Sequence, residues 1–131
     1  ADCRAGLLAI DGMADALHES VLEKAKPFLG ICVGMQLLFD HSEENGGVDG
    51  LGIIPGTVKR FPSEICQPAG LKIPHMGWND ANVTIEHPLF NQLSDPQFYF
   101  LHSYCMYKID TKYIVAETNY AHNFISVFQK K

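Results

Sequence analysis

Hydrophobic and polar positions along the first part of the chain predict helix. Over residues 2–26 apolar side chains recur at helical spacing, at Ala14, Leu17, Val21 and Leu22. Charged residues lie on the other side of this predicted helix. Gly12 is expected to break this stretch into two pieces, because glycine weakens a helix interior. The pattern therefore predicts a helical lead-in to whatever follows residue 26.

A strand, a sharp turn and a helix are predicted next. Residues 28–31 form a short apolar run of the kind that a buried central parallel strand shows. Residues 35–39 continue as good helix formers. Cys32 lies at the turn between them, flanked by Gly30 and Gly34, and a tight turn needs neighbours without a Cβ. Helix, buried strand and helix together indicate an α/β fold.

The second part of the chain has a different pattern. Residues 41–52 are dense in glycine and acid and predict a loop. Short strand-like runs then alternate with turn signals, over residues 57–61, 71–73, 81–86, 97–107, 113–118 and 124–128. Residues 120–123 predict a hairpin connection, and residues 88–93 a helical turn. The whole pattern predicts one domain over residues 1–131, an α/β fold whose parallel sheet carries antiparallel additions.

Composition excludes several classes of protein. The net charge is −5 and the pI about 5.6, which argues against nucleic-acid binding, since that needs a basic surface. No apolar run approaches the roughly 20 residues of a membrane span, and the start of the chain lacks a basic signal-peptide region. The sequence thus predicts a cytoplasmic protein with neither a membrane nor a nucleic-acid partner.

The cysteines are spaced for free thiols rather than for a disulfide framework. All four are far apart, with no C-x-x-C pair, at Cys3, Cys32, Cys66 and Cys105. The nearest candidate zinc ligands, His102 and Cys105, lack zinc-finger spacing. No metal and no cofactor are therefore expected.

Cys32 is the candidate nucleophile. Its surroundings, Gly-Ile-Cys-Val-Gly, have the form of a nucleophile elbow with cysteine in place of serine. The following helix would point its N-terminus at Cys32, which favours the thiolate, and the Val33 N–H would be placed to donate to an oxyanion. Gln36 would lie one turn further along the same helix face. The alternative is a buried cysteine acting as a small hydrophobe.

A nucleophilic cysteine needs a base, and the sequence leaves that base open. Six histidines are present, of which His75 and His102 lie in segments richer in polar and aromatic residues than a plain core strand needs. No carboxylate is evidently placed to orient either ring. A structural role for both histidines is the competing interpretation.

Several motifs together carry a family resemblance. The runs GICVGMQLLFDHSEE, GLGIIPGTVKRF, LKIPHMGWN, HPLF and FYFLHSY occur in this order over the whole chain. They resemble the glutamine amidotransferase subunit of imidazole glycerol phosphate synthase, a class I amidotransferase of histidine biosynthesis. The resemblance implies a class I amidotransferase-like, flavodoxin-like sheet.

The resemblance also implies roles for particular residues. Cys32 would attack the glutamine side-chain amide, form a glutamyl thioester and release ammonia. Val33 would supply an oxyanion donor. Gln36, Ser103 and Tyr104 match positions that hold the glutamine substrate in that family.

A partner and an incomplete chain follow from the same resemblance. Trp78 and Tyr99 lie in segments that face a (β/α)₈ barrel cyclase in the family, which receives the ammonia through a tunnel. The family's first strands and Gly-rich oxyanion strand would precede Ala1, and its catalytic His and Glu would follow Lys131. The sequence is thus interpreted as truncated at both ends and inactive alone, and its exposed sheet is expected to form a homodimer.

Two other functions stay open at this point. One is a self-sufficient cysteine hydrolase, in which Cys32 would use His75 or His102 as its base. The other is a non-catalytic binding module that presents Trp78 and Tyr99 to a partner.

Overall fold

A seven-stranded mixed sheet forms the centre of the computed structural model, which describes residues 2–107 and 109–131. A separate two-stranded ribbon, made of His75–Asp80 and Gln97–His102, packs beside it. In chain order the strands are β1 (Phe39–Ser42), β2 (Val48–Asp49), β3 (Ile54–Arg60), β4 (His75–Asp80), β5 (Asn82–Val83), β6 (Gln97–His102), β7 (Tyr104–Met106), β8 (Ile114–Tyr120) and β9 (His122–Phe128).

The large sheet has the order β2-β1-β3-β7-β9-β8-β5. Its β1 and β3 are parallel, with Phe39 opposite Ile54, and its other described pairs are antiparallel. The predicted α/β class with antiparallel additions is thereby confirmed. The parallel part among the described strands is a single pair.

Helices are short and lie mainly before the sheet. They are α1 (Asp2–Leu8), α2 (Met13–His18) with a π-helical continuation (Glu19–Glu23), α3 (Val33–Gln36) and α4 (Ser63–Cys66). Gly12 separates α1 from α2 at φ 70°, which confirms the predicted break. No helix in the described ranges is long and apolar enough to cross a membrane.

The prediction of a buried strand over residues 28–31 is wrong. This segment has no strand partner among the described residues. Phe28, Leu29 and Ile31 are 44%, 70% and 74% exposed. A central parallel strand needs neighbours along both edges and cover on both faces, and nothing in the described ranges provides them.

The helix predicted over residues 35–39 is also too long. It ends at Gln36, and Phe39 instead begins β1, where it is fully buried. The Phe39 ring packs edge-on against Phe128, with 5.1 Å between ring centroids. Burial in the sheet core outweighs local helix propensity here.

Strand boundaries differ from the pattern in the middle of the chain. The predicted loop over residues 41–52 holds the end of β1, a 3₁₀ turn and β2. No strand forms over residues 71–73, only two residues of 81–86 pair, and the run 97–107 is interrupted at Ser103. Pairing partners set these limits, and they are not visible in local alternation.

The remaining secondary-structure predictions agree with the structure, apart from Phe61 and Tyr113, which lie just outside the strands. Residues 57–60, 114–118 and 124–128 lie in β3, β8 and β9, and Pro88–Phe90 forms a 3₁₀ turn. A tight hairpin joins β8 to β9, with Tyr120 opposite His122 and Ala121 at φ 61°.

The described residues include two buried hydrophobic clusters. The first lies around β1, β3, β7 and β9 and contains Phe39, Ile54, Val58, Met106 and Ile125. The second joins the sheet to the ribbon, with Phe61, Cys66, Cys105 and Phe124 at its centre. This second cluster places the inner face of the ribbon against the sheet.

Candidate active site

Cys32 lies at a strained turn, as a nucleophile elbow requires. Its backbone has φ 54° and ψ −117°, a region that residues other than glycine rarely adopt. A Cβ added to Gly30 would stand 2.7 Å from the Gly34 carbonyl oxygen, so a side chain there would force the turn open. Gly34 has open space at its Cβ position. The turn therefore needs a glycine at position 30. The prediction that it also needs one at position 34 is wrong, because a side chain would fit there.

The Cys32 side chain is exposed, which rules out the buried-hydrophobe interpretation. It precedes α3, whose first residue is Val33. The first N–H groups of a helix have no partner within it, so the Val33 N–H is available to an oxyanion. Because α3 is a single turn, its macrodipole is small.

Gln36 connects the elbow to the sheet. Its backbone N–H donates to the Cys32 carbonyl at 3.1 Å, which confirms that it lies one turn beyond the cysteine. Its side-chain Nε2 donates to the Tyr104 carbonyl at 3.2 Å, across 68 residues of sequence. Two segments that the sequence associates with glutamine thus meet in space.

Ser103 lies at the bend between β6 and β7. Its carbonyl accepts a hydrogen bond from the Phe61 N–H at 3.0 Å, which anchors the bend to the end of β3. The bend turns the chain from the ribbon into the large sheet. Ser103 and Tyr104 therefore lie where the two sheets meet, beside Gln36.

A small cavity adjoins this junction. Its lining includes Val33, Gln36, Ser42, Glu44 and Asp49, and its volume of about 20 Å³ has room for little more than one water. The sequence did not predict Glu44 and Asp49 as site residues, because they fall in an acidic stretch that predicts a loop. Both carboxylates line the cavity together with Val33.

His75 and His102 are hydrogen-bonded to each other, and their partners fix the proton positions. His102 Nδ1 lies 2.8 Å from the Tyr104 carbonyl oxygen, which only accepts, so this nitrogen carries the proton. In the neutral ring, Nε2 then accepts from His75 Nδ1 at 3.0 Å. His75 Nε2 in turn accepts from Asn79 Nδ2 at 3.2 Å. The Asn79 amide also donates to the Asn119 carbonyl at 2.9 Å.

Aromatic rings enclose this histidine pair. His75 is 3% exposed and stacks on Tyr120 and Phe100, with ring centroids 4.0 Å and 4.9 Å away. Phe124 packs against His102 at 5.1 Å. Burial lowers the pKa of His75 to about 4, with His102 contributing, and also lowers the pKa of His102. Both rings are therefore neutral near pH 7.

Neither histidine is available as a base for Cys32. All four ring nitrogens already take part in hydrogen bonds. The structural interpretation of His75 and His102 accounts for their positions. The same contacts argue against the predicted alternative of a self-sufficient cysteine hydrolase that uses them.

The outer face of the ribbon carries a large exposed apolar surface. Trp78 and Tyr99 lie opposite each other in β4 and β6, and their ring centroids are 5.9 Å apart. They are 71% and 56% exposed, and Met76 and Leu101 beside them are 62% and 59% exposed. We call these four residues the outer patch. Exposed apolar patches of this kind mark interaction surfaces.

The other cysteines are placed as free thiols. Cys3 is exposed, whereas Cys66 and Cys105 are buried in the second core cluster. Burial raises the pKa of both buried thiols, that of Cys105 to about 12. His102, the candidate zinc partner of Cys105, has both ring nitrogens in hydrogen bonds. In the described part of the chain, no three His, Cys, Asp or Glu residues lie together as metal ligands.

Comparison with known families identifies the class of protein. Residues 9–131 match the model of the family described as glutamine amidotransferase class-I. The chain belongs to this family. The match covers the elbow, the cavity beside it and the histidine pair, and it confirms the resemblance drawn from the motifs.

Individual relatives narrow the similarity further. The chain is 46% identical over 132 residues to imidazole glycerol phosphate synthase subunit HisH of Neisseria meningitidis serogroup B, covering 98% of this chain and 60% of the relative. It is 48% identical over 120 residues to the HisH subunit of Chromobacterium violaceum, covering 88% and 54%. The chloroplastic imidazole glycerol phosphate synthase hisHF of Arabidopsis thaliana is 44% identical over 121 residues, covering 91% and 20%.

The chain therefore spans about 60% of the length of the first relatives it matches.

Proposed function

We propose that this chain is part of a glutamine amidotransferase subunit of imidazole glycerol phosphate synthase and carries its nucleophile and much of its glutamine site. The observation that supports this most is the hydrogen bond from the Gln36 side chain to the Tyr104 carbonyl. It joins the turn that bears the exposed Cys32 to the segment that the family resemblance associates with glutamine. The proposed location is the cytoplasm.

The proposed chemistry begins at Cys32. Its thiolate attacks the side-chain amide carbon of glutamine, and the carbonyl oxygen becomes an oxyanion that the Val33 N–H stabilises. Collapse of this intermediate breaks the C–N bond, and the nitrogen takes up a proton and leaves as ammonia. The remaining glutamyl thioester is hydrolysed by water to glutamate, which frees Cys32.

Substrate recognition is assigned to three residues around the junction. Gln36, Ser103 and Tyr104 would hold the α-amino and α-carboxylate groups of glutamine. Glu44 and Asp49 line the adjoining cavity and would favour the ammonium end. Because the cavity is far smaller than an amino acid, glutamine would lie across its mouth.

Proton transfer from the Cys32 thiol is a step that neither His75 nor His102 supports. His75 and His102 are fully hydrogen-bonded elsewhere, so they offer no lone pair to the Cys32 thiol. We propose that residues 1–131 alone bind glutamine at Cys32 but turn it over poorly. Loss of a base typically costs several orders of magnitude in rate.

The outer patch is the proposed docking surface for a (β/α)₈ barrel cyclase. Trp78 supplies a large aromatic side chain of the type that dominates interface energies. The inner face of the same ribbon is buried against the sheet, so the ribbon presents the patch on a supported base. Ammonia released at Cys32 would pass to this partner.

Glutamine binding is tested by protection of Cys32 from iodoacetamide, followed peptide by peptide with mass spectrometry. Exposed Cys3 in the same chain is the internal standard. Glutamine should slow alkylation of Cys32 and leave Cys3 unaffected, and asparagine should change neither rate. Equal rates at Cys32 with and without glutamine would overturn the proposed site.

Turnover is tested by ammonia release from glutamine, with Cys32→Ala as the control. We expect little ammonia from the chain alone. Steady release that depends on Cys32 would show that a base is available and would refute the proposed poor turnover.

Cyclase binding is tested by calorimetry with a barrel cyclase, comparing Trp78→Ala with Val83→Ala. Val83 is 39% exposed in β5 and lies outside the outer patch. Trp78→Ala should weaken binding by about 2 kcal/mol or more, and Val83→Ala by much less. Equal affinities would exclude the patch as the interface.

Self-association is the remaining proposal on partners. The edges of the large sheet are β2 and β5, each of only two residues, and short edges resist pairing. The exposed segment 28–31 is the better candidate for contact with a second copy. Light scattering should show a dimer, and a monomer at working concentration would reject it.

A further inference from the structure

Two histidines, buried His75 and half-buried His102, are an unusual choice for the inner face of the ribbon. His75 and His102 lie opposite each other in β4 and β6, in an aromatic setting where leucine or phenylalanine would pack without any polar cost. Burying a polar ring is costly unless its nitrogens are hydrogen-bonded. Such networks, when every member is satisfied, specify one geometry. A satisfied pair of this kind therefore fixes the groups to which it is hydrogen-bonded.

The network ends at the Tyr104 carbonyl. This oxygen accepts from His102 Nδ1 at 2.8 Å and from Gln36 Nε2 at 3.2 Å. A carbonyl has two lone pairs, and both are used by side chains here. The position of the Gln36 amide thus depends on the position of a carbonyl that His102 also holds.

The other end of the network fixes the direction of every hydrogen bond. The Asn79 side-chain nitrogen donates to the Asn119 carbonyl and to His75 Nε2, and its oxygen accepts from the Asp80 N–H at 2.9 Å. With the amide oriented in this way, His75 carries its proton on Nδ1. His102 Nε2 must then accept the hydrogen bond from His75 Nδ1–H. Both rings therefore adopt the Nδ1–H tautomer, which is the less common one in water.

We propose that His75 and His102 are positioning residues: His75 holds His102 in the Nδ1–H tautomer, and His102 fixes the Tyr104 carbonyl that anchors Gln36. This inference rests on the proposed function, because Gln36 and Tyr104 belong to the proposed glutamine site. Neither histidine contacts substrate in this account. Their effect is on how tightly glutamine is held, through the placement of Gln36.

The tautomers are tested on the unsubstituted chain by ¹⁵N NMR of labelled histidine near pH 7. His75 and His102 should each show a protonated Nδ1 and a bare Nε2, with exposed His18 as the reference ring in the same spectrum. A protonated Nε2 on His102 would overturn the inference. In His75→Leu, the Nε2 of His102 should become partly protonated, because the donor that faces it is gone.

The positioning effect is tested with two matched variants in the glutamine-protection assay at Cys32. His102→Asn keeps an amide N–H near the place of Nδ1 and so keeps the donor to Tyr104. His102→Gln places its amide near Nε2 and loses that donor. We expect the half-protecting glutamine concentration to rise about 3- to 10-fold in His102→Gln, the effect of one hydrogen bond. His102→Asn and the surface control His18→Gln should match the unsubstituted chain.

The outcomes separate this inference from the proposed function. Without glutamine protection in the unsubstituted chain, the proposed function fails and this inference fails with it. With protection that is equal in His102→Gln and His102→Asn, the glutamine site stands and the positioning role is rejected. If His102→Gln does not fold, the NMR measurement on the unsubstituted chain decides.

Discussion

The segment that carries Cys32 and the sheet that carries Tyr104 are built very differently. Among residues 2–37 none is buried, and the large apolar side chains of residues 28–31 face solvent. From Leu38 onward the chain forms two buried clusters with aromatic rings at their centre. The comparison shows that Cys32 is held by local turn geometry, whereas Tyr104 and the histidine pair are held by the core.

The connection between the two regions is narrow. It includes the hydrogen bond from Gln36 to Tyr104 and the packing of Met35 against the first cluster. The following predictions sharpen or break this contrast, beginning with the largest expected effect.

Truncation of a core ring should cost far more than truncation in the first segment. Phe61 is 1% exposed and packs edge-on against Phe124 and His102. Phe61→Ala should lower the free energy of unfolding by about 3–5 kcal/mol through the cavity it leaves. The matched control Leu29→Ala should change it by only about 0.5 kcal/mol. Urea denaturation measures both, and similar losses would contradict the contrast.

The thiols should divide by region in the same way. Cys3 and Cys32 are exposed and should react with a thiol reagent at once in the native state. Cys66 and Cys105 should react slower by a factor on the order of a hundred or more, because they must first be exposed by unfolding. Burial also raises the pKa of both, which disfavours the reactive thiolate. Labelling with and without denaturant checks this, and four fast thiols would refute it.

Acid should destabilise the sheet region through the histidine pair. The pKa of His75 is about 4 in the folded chain, against roughly 6.5 when unfolded, so between these values the unfolded chain binds more protons. Stability should therefore fall as the pH drops below 6.5 and level off below 4, with a loss of about 2 kcal/mol from His75 by pH 5. Unfolding midpoints across this range measure the slope.

The control for acid sensitivity is a pair of histidine variants. His75→Gln should reduce the slope between pH 6.5 and 4, although it lowers stability overall. His18→Gln, at an exposed helix position beside Glu23, is the comparison variant for a histidine outside the sheet region. An undiminished slope in His75→Gln would assign the acid sensitivity to other groups.

The smallest effects on stability are expected at the elbow. Gly30→Ala would place a Cβ against the Gly34 carbonyl, so the turn must shift and the alkylation rate of Cys32 relative to Cys3 should change. Gly34→Ala meets no atom and should stabilise α3 by up to about 1 kcal/mol while leaving that rate unchanged. The same change of rate in both variants would contradict the assigned difference between the glycines.

The sequence by itself determined the class of protein and predicted Cys32 as the nucleophile. The elbow motif depends on a local backbone requirement, a turn that Gly30 permits, and local requirements are readable from neighbouring residues. The break at Gly12, the hairpin at Ala121 and the strands β8 and β9 follow for the same reason. The family motifs placed Cys32, Gln36 and Tyr104 in one site, and the hydrogen bond between the last two supports that grouping.

Only the tertiary structure decided which apolar runs are buried and which polar groups meet. Residues 28–31 read as a core strand, but a strand is stabilised by partners from distant sequence, and none lies beside them in the described ranges. Phe39 lies in β1 rather than in a helix because its side chain is buried in the first core cluster there. The pairing of His75 with His102 arises from the register of β4 and β6, 27 residues apart, and no local pattern encodes such a register. Long-range pairing, rather than propensity, therefore set the geometry around Tyr104.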